Sequence, residues 1–186
     1  MFFLWIKLEI EGNLDESCNL ILINHQSMLD IIVMEHLHNR NIAWVAKKEI
    51  TDLFFFGHII KAPRMISIDR ENKAGLIHLL SEAKDRLSKG RPIAMFPEGT
   101  RSDGTYIGEF KAGAKMVGNK FNLKVQPVVM FNTRNIVNSQ KMEAAPGVVK
   151  VIYLEPIVAS KDTSWYEDCE KNMKEVFEKE YKNYVS

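Results

Sequence analysis

Taken as a pattern of apolar and polar positions, the chain breaks into short apolar runs separated by amphipathic stretches. Leu20 to Ile23, Ile42 to Ala46, Met65 to Ile68, Pro92 to Phe96, Val125 to Met130 and Val148 to Leu154 have strand length and strand composition. Their near-continuous apolar character predicts strands buried on both faces. Lys7 to Ile10 alternates charged and apolar residues, which predicts an edge strand.

Between the runs lie stretches with helical period. From Asn72 to Leu87 the residues Leu76, Leu79, Leu80, Ala83 and Leu87 share one face, and Gly90 closes the end. Ser164 to Tyr184 opens with Ser164 and Glu167 in capping-box spacing and lines Trp165, Cys169, Met173, Val176, Phe177 and Tyr181 along one stripe. Alternating strands and helices predict an α/β domain: a mostly parallel central sheet flanked by helices, with right-handed crossovers. No repeat, low-complexity tract or Pro/Gly/Ser-rich linker interrupts residues 1–186, so a single domain is expected.

Composition changes this picture little. The chain is 46% apolar and 26% charged with a formal charge of +1, which gives no global attraction to nucleic acid. Any anion site must be local. Cys18 and Cys169 belong to no C-x-x-C pair, which argues against a metal cage or disulfide framework and favours a reducing compartment. No apolar run approaches the roughly 18 to 20 residues that cross a bilayer. Met1 to Trp5 is too short for a signal-peptide core, so the chain is expected to be soluble or peripheral.

In open α/β sheets ligands bind beyond the carboxyl ends of the strands. Here those ends are polar: Leu20 to Ile23 leads into Asn24 and His25, Ile42 to Ala46 into Lys47 and Lys48, Met65 to Ile68 into Asp69 and Arg70, and Pro92 to Phe96 into Pro97, Glu98, Gly99, Thr100 and Arg101. In NHQSMLD, residues 24–30, a histidine at a strand end and a carboxylate in the first helical turn can meet across that turn. The carboxylate would fix the tautomer and stabilise the imidazolium, leaving the other ring nitrogen to accept a proton. The same residues also fit a structural role, since Ser27 and Asp30 form S-x-x-D, a capping box beside an ordinary loop histidine. With no G-x-S-x-G and no histidine near either cysteine in sequence, a covalent acyl-enzyme has little support.

The second element is FPEGTRSDG, residues 96–104. Its glycines let backbone N–H groups approach an anion, and the fork of Arg101 suits a phosphate. Glu98 would orient Arg101 or the loop; in the structural alternative the segment is a surface turn. Arg70 and Lys47 add positive charge at neighbouring strand ends, and Lys111 is a weaker candidate for the same role or for the phosphate of a thioester carrier. Each is also compatible with plain surface solvation. His36, His38, His58 and His78 show no metal-ligand spacing and read as structural.

In order and spacing these residues resemble the motif blocks of the 1-acylglycerol-3-phosphate (lysophosphatidic acid) acyltransferase family. NHQSMLD resembles its N-H-x-x-x-x-D block, ISIDR (66–70) its arginine block, FPEGTRS (96–102) its E-G-T-R block and VQPVV (125–129) its proline-containing strand; AKKEI (46–50) and LFFFGHII resemble the segment between the first two. The resemblance implies a glycerolipid acyltransferase-like fold in which His25 is the general base and Asp30 its partner. It also implies that Glu98, Gly99, Thr100 and Arg101 bind the acceptor phosphate with help from Arg70. An acyl-CoA or acyl carrier protein thioester would be the donor, a lysophospholipid the acceptor, with no metal or organic cofactor. Work on the cytoplasmic side of a membrane, peripheral or weakly anchored, is the matching expectation.

One departure is that family members often carry apolar helices before the histidine block, whereas only about two dozen residues precede it here. Membrane contact would then come from Met1 to Trp5 or Leu53 to Ile60, unless the latter packs in the core. Two other readings stay open: a lipid-binding or membrane-docking module without turnover, and a hydrolase using water as acceptor. Acceptors other than lysophosphatidic acid, such as ornithine lipids, also remain open.

Overall fold

The computed structural model describes residues 5–47, 65–68 and 73–185, without the side chains of Lys47, Lys73 and Val185. Leu53 to Ile60, Arg70 and His58 lie outside the described residues. Elements run β1 (Ile6–Glu11), β2 (Leu20–Ile23), α1 (Leu29–Leu37), β3 (Ala43–Lys47), β4 (Ile66–Ile68), α2 (Lys73–Ser88), β5 (Ile93–Met95) and α3 (Ala112–Phe121). They continue with β6 (Lys124–Phe131), α4 (Thr133–Ile136), β7 (Val137–Asn138), β8 (Glu143–Ala144), β9 (Gly147–Tyr153), β10 (Ile157–Val158) and α5 (Trp165–Val185).

The described strands form a sheet in the order β1-β9-β6-β2-β5-β3-β4, with β10 added against β6; β7 and β8 make a separate hairpin. Pairing is parallel for β2 with β5 and β6, for β3 with β4 and β5, and for β1 with β9; β6 pairs antiparallel with β9 and β10. The sheet is thus mostly parallel, and β1 lies at its edge. The sequence gives no warning of β10 or of the β7–β8 hairpin, whose two-residue strands are too short to carry a periodic pattern.

Strand alternation divides the core into two layers. Leu20 and Leu22 of β2, Ile93 and Met95 of β5, and Val125 and Val129 of β6 pack on one face with Leu79, Ala83, Val117, Trp165, Met173 and Phe177. Ile21, Ile23, Ala94, Val128 and Met130 face the other way, with Leu29, Val33 and Met34 of α1. Burying one such Leu or Ile is worth about 1.5–3 kcal/mol. Both predicted amphipathic helices supply their apolar stripes, and Gly90 ends α2 at φ +71°. The capping box at Ser164 does not form as spaced: Ser164 Oγ donates to Asp168 Oδ2 at 2.5 Å, while Glu167 pairs with Lys115 across to α3. An ammonium at hand on α3 outcompetes the reach back to the helix start.

Candidate active site

Since β2 runs parallel to both its neighbours, its carboxyl end opens on the same edge as the ends of β5 and β6. Asn24, the first residue past β2, is fully buried and continues the pairing through its side chain. Its Nδ2 donates to the Met130 carbonyl at 2.9 Å and its Oδ1 accepts the Met130 N–H at 2.6 Å. The main chain entering His25 is therefore fixed to β6.

His25 is fixed on the other side by the loop after β5. Its N–H donates to Glu98 Oε1 at 2.7 Å and its carbonyl accepts from Ser102 N–H at 2.8 Å. The ring stacks on Phe96 with centroids 3.7 Å apart, and Phe96 stacks in turn on Trp44. Nδ1 lies 2.8 Å from Asp30 Oδ2, so the predicted approach across the first turn of α1 is present. Because a carboxylate oxygen only accepts, Nδ1 carries the hydrogen and Nε2 presents a lone pair. The imidazole is 13% exposed, whereas the Asp30 side chain is fully buried.

Asp30 Oδ2 also accepts the N–H groups of Gln26 (2.8 Å) and Ser27 (2.9 Å), which ties down the turn leading into α1. Ser27 Oγ accepts the Leu29 N–H at 3.3 Å and donates to the Val137 carbonyl at 2.6 Å, so only half of the capping box is formed. Asp30 Oδ1 receives the hydroxyl of Thr133 at 2.5 Å, from the segment after β6.

The loop after β5 turns at Gly99, where φ is +76°. Glu98 is buried at 4% exposure and holds two backbone N–H groups, His25 on Oε1 and Gly108 on Oε2 (2.6 Å). Burial pushes its carboxyl above the usual range, and the Gly108 and His25 N–H groups act in the opposite direction. A Cβ at Gly108 would meet Glu98 Oε2 at 3.1 Å, so the glycine permits the close approach. Glu98 thus ties the loop to the histidine main chain. Arg101 is exposed, with Nε 3.4 Å from His25 Nε2 and Nη1 donating to Ser139 Oγ at 3.0 Å. Thr100 is exposed beside it. Arg134, which the sequence did not single out, donates to the Gln140 side chain (2.8 Å) and the Ser102 carbonyl (3.3 Å), so two guanidinium groups anchor on the β7–β8 turn.

Of the remaining candidates, Lys47 ends β3 with its side chain outside the description, as is Arg70 entirely. Lys111 is exposed at the N-cap of α3. Its backbone joins the fold, N–H to the Pro97 carbonyl at 2.8 Å and carbonyl from the Tyr166 hydroxyl at 2.6 Å. Chemically, the assembled cluster offers a proton acceptor at Nε2, a buried anion behind it and an arginine beside it. Sequence reasoning placed Asn24 at a polar strand end without a role, and it missed Gln26 and Thr133 as parts of this cluster. The one available signal was their position at carboxyl ends of strands.

The family model described as Acyltransferase matches residues 6–131. A 1-acyl-sn-glycerol-3-phosphate acyltransferase of Helicobacter pylori is 41% identical over 181 residues, covering 95% of this chain and 75% of that protein. A 1-acyl-sn-glycerol-3-phosphate acyltransferase of Salmonella typhimurium is 32% identical over 74% of this chain and 56% of its own. A lyso-ornithine lipid O-acyltransferase of Brucella abortus is 31% identical over 69% of this chain and 50% of its own. The crystal structure of the 1-acyl-sn-glycerophosphate acyltransferase PlsC from Thermotoga maritima superposes with a TM-score of 0.74 at 23% identity, covering 97% of this chain and 73% of that one, which shows the shared fold. With the ordered motif blocks, the His25–Asp30 pair and these matches together, the chain belongs to the 1-acyl-sn-glycerol-3-phosphate acyltransferase family.

Proposed function

We propose that this protein transfers a fatty acyl group from an acyl-CoA or acyl carrier protein thioester to the free hydroxyl of 1-acylglycerol 3-phosphate, forming phosphatidic acid. The observation that carries the reading is the His25–Asp30 pair at 2.8 Å, with the Nε2 lone pair turned toward Arg101. Nε2 takes the proton of the acceptor hydroxyl as its oxygen attacks the thioester carbonyl. The resulting imidazolium is stabilised by the Asp30 carboxylate. Collapse of the tetrahedral intermediate breaks the carbon–sulfur bond, and the leaving thiolate takes the proton back from Nε2.

Arg101 binds the acceptor phosphate bidentately, with Arg70, Lys47 and the Gly99–Thr100 backbone completing the headgroup site and Lys111 a further cation. Glu98 holds the loop that presents them. No metal or organic cofactor takes part. The reaction occurs at a membrane surface, because acceptor and product are both amphiphiles, and on its cytoplasmic side, where the thioester carriers are. The enzyme would be held there peripherally or by a weak anchor; among the described residues no helix is long and apolar enough to cross a membrane.

The test is thiol release from an acyl thioester with and without lysophosphatidic acid. Wild-type release should depend on the acceptor, and His25→Ala should abolish it while keeping the fold by circular dichroism. Wild-type turnover in that variant removes the base assignment. Release at the same rate without acceptor makes the protein a hydrolase, and no release at all leaves a binding module.

A further inference from the structure

Asp30 carries more hydrogen bonds than capping a helix requires. The N–H groups of Gln26 and Ser27 go to its Oδ2, that of Leu29 to Ser27 Oγ, and those of Asp30 and Ile31 to the carbonyls of Ser27 and Met28, so the Thr133 hydroxyl on Oδ1 adds nothing to the helix start. Thr133 lies 103 residues away in sequence, just beyond the end of β6, and is fully buried.

The Thr133 hydroxyl has a second close neighbour, the carboxamide of Gln26, whose Oε1 is placed 3.2 Å from Oγ1. One hydroxyl hydrogen cannot serve two acceptors at full strength, and the 2.5 Å contact to a buried carboxylate claims it. Gln26 is only 1% exposed, and among the described residues its Nε2 has no partner. Turning the carboxamide over removes the competition for the hydroxyl hydrogen: Nε2–H then donates to Thr133 Oγ1, which donates to Asp30 Oδ1. The result is a continuous chain from Gln26 through Thr133 and Asp30 to His25.

We propose that Thr133 is a positioning residue for acyl transfer, its hydroxyl holding the Asp30 carboxylate in the orientation that presents Oδ2 to His25 Nδ1, with Gln26 fixing the direction of that hydroxyl. The inference rests on His25 acting as the base. Without the hydroxyl, Oδ1 becomes a buried anionic oxygen with no donor. The carboxylate then turns to share the donors now on Oδ2, and the imidazole loses the alignment that aims Nε2 at the acceptor. Misplacement of a catalytic group by about 1 Å costs on the order of 100-fold in rate.

The test compares Thr133→Val, which replaces the hydroxyl by a methyl of similar size, with Thr133→Ser, which keeps the hydroxyl and removes the methyl. For each, kcat, acceptor KM, thermal midpoint and the downfield proton resonance of His25 Nδ1–H are measured. Expected for Thr133→Val is a fall in kcat of about 10- to 100-fold with acceptor KM unchanged and the Nδ1–H resonance moved. Thr133→Ser should keep kcat within about threefold and leave the resonance in place. A packing role alone predicts the reverse order, with serine worse because it leaves a void, and that order overturns the proposal.

Should Thr133→Val fail to fold, Gln26→Met carries the test, since it removes the donor to Thr133 without touching Asp30. Its kcat should fall about three- to tenfold with the Nδ1–H resonance moved, and wild-type values for both overturn the proposal. His25→Ala run in parallel separates the two levels of argument. If it still turns over, the base assignment fails; if it is dead while Thr133→Val matches wild type, the positioning role alone fails.

Discussion

Replacing Asp30 with asparagine separates its two structural roles, because the substitution keeps shape and hydrogen bonds while removing charge. The amide oxygen takes the place of Oδ2, held there by the Gln26 and Ser27 N–H groups, and still accepts from His25 Nδ1. The new Nδ2 faces Thr133, whose hydroxyl can accept instead of donate. Stability should therefore stay within about 1 kcal/mol of wild type by urea denaturation. What is lost is attraction between carboxylate and imidazolium in the transition state. With the hydrogen bond at 2.8 Å, the charge centres lie about 4 Å apart, and an effective dielectric near 20 gives about 4 kcal/mol. The 13% exposure of His25 reduces this somewhat. At about 1.4 kcal/mol per tenfold, kcat should fall on the order of 100- to 1,000-fold, measured as initial thiol release with lysophosphatidic acid at saturating thioester. Turnover within about threefold of wild type, paired with an unstable Asp30→Ala variant, would reduce Asp30 to a helix cap and refute the reasoning.

Glu98→Gln leaves one acceptor for the two backbone N–H groups of His25 and Gly108, a loss of about 1–2 kcal/mol in urea unfolding. Because burial holds the Glu98 carboxyl above its usual range, the native state binds that proton more tightly than the unfolded chain. Wild-type stability therefore falls as pH rises from the ordinary glutamate range through the raised value, and the gap to the variant narrows; a gap that widens contradicts this. Arg101→Ala should raise the acceptor KM about tenfold or more without changing that for a dephosphorylated 1-acylglycerol. The same variant should increase acceptor-independent thiol release, since Nε2 loses its neighbour; equal losses on both acceptors contradict the phosphate role. Gly118→Ala puts a methyl 2.7 Å from Trp165 Cζ2, an overpacking of about 1–3 kcal/mol that should lower the thermal midpoint by about 2–12 °C with kcat unchanged once folded.

The central strands were legible because they are apolar on both faces and β1 because it alternates, and the His25–Asp30 pair because a strand end and the first turn of the following helix lie within reach of each other. Asp30 itself looked ambiguous because S-x-x-D describes a helix cap while H-x-x-x-x-D describes a partner for the histidine, and in the folded protein Oδ2 takes His25 Nδ1–H together with the Gln26 and Ser27 N–H groups. Glu98 carried two expectations, an orienter of Arg101 or the loop from the residues and a phosphate contact from the resemblance; the structure buries it on the N–H groups of His25 and Gly108. Thr133 and Arg134 were invisible for a related reason. A polar residue after a strand has no pattern of its own, and its partner is remote in sequence, 103 residues away for Thr133 and Asp30 and 32 for Arg134 and Ser102. Residues 124–131 showed their strand but not that β9 and β10 pair with it antiparallel, since apolar runs do not encode direction.

The parallel trio at the centre of the sheet explains why this site can exist at all. β2 supplies a dyad that is local in sequence, but an imidazole and a carboxylate at a helix start would be free to turn away from each other in an isolated segment. The structure removes that freedom from both sides: Glu98 and Ser102, beyond β5, hold the main chain of His25, while Met130 and Thr133, at the end of β6, hold Asn24 and Asp30. Each constraint requires the strand ends to open on one edge, which parallel pairing on both sides of β2 provides. Were β6 antiparallel to β2, Thr133 would emerge at the opposite edge and Asp30 Oδ1 would face the core unpaired. The antiparallel strands accordingly lie outside this trio, where they extend the sheet without setting the geometry of His25 and Asp30.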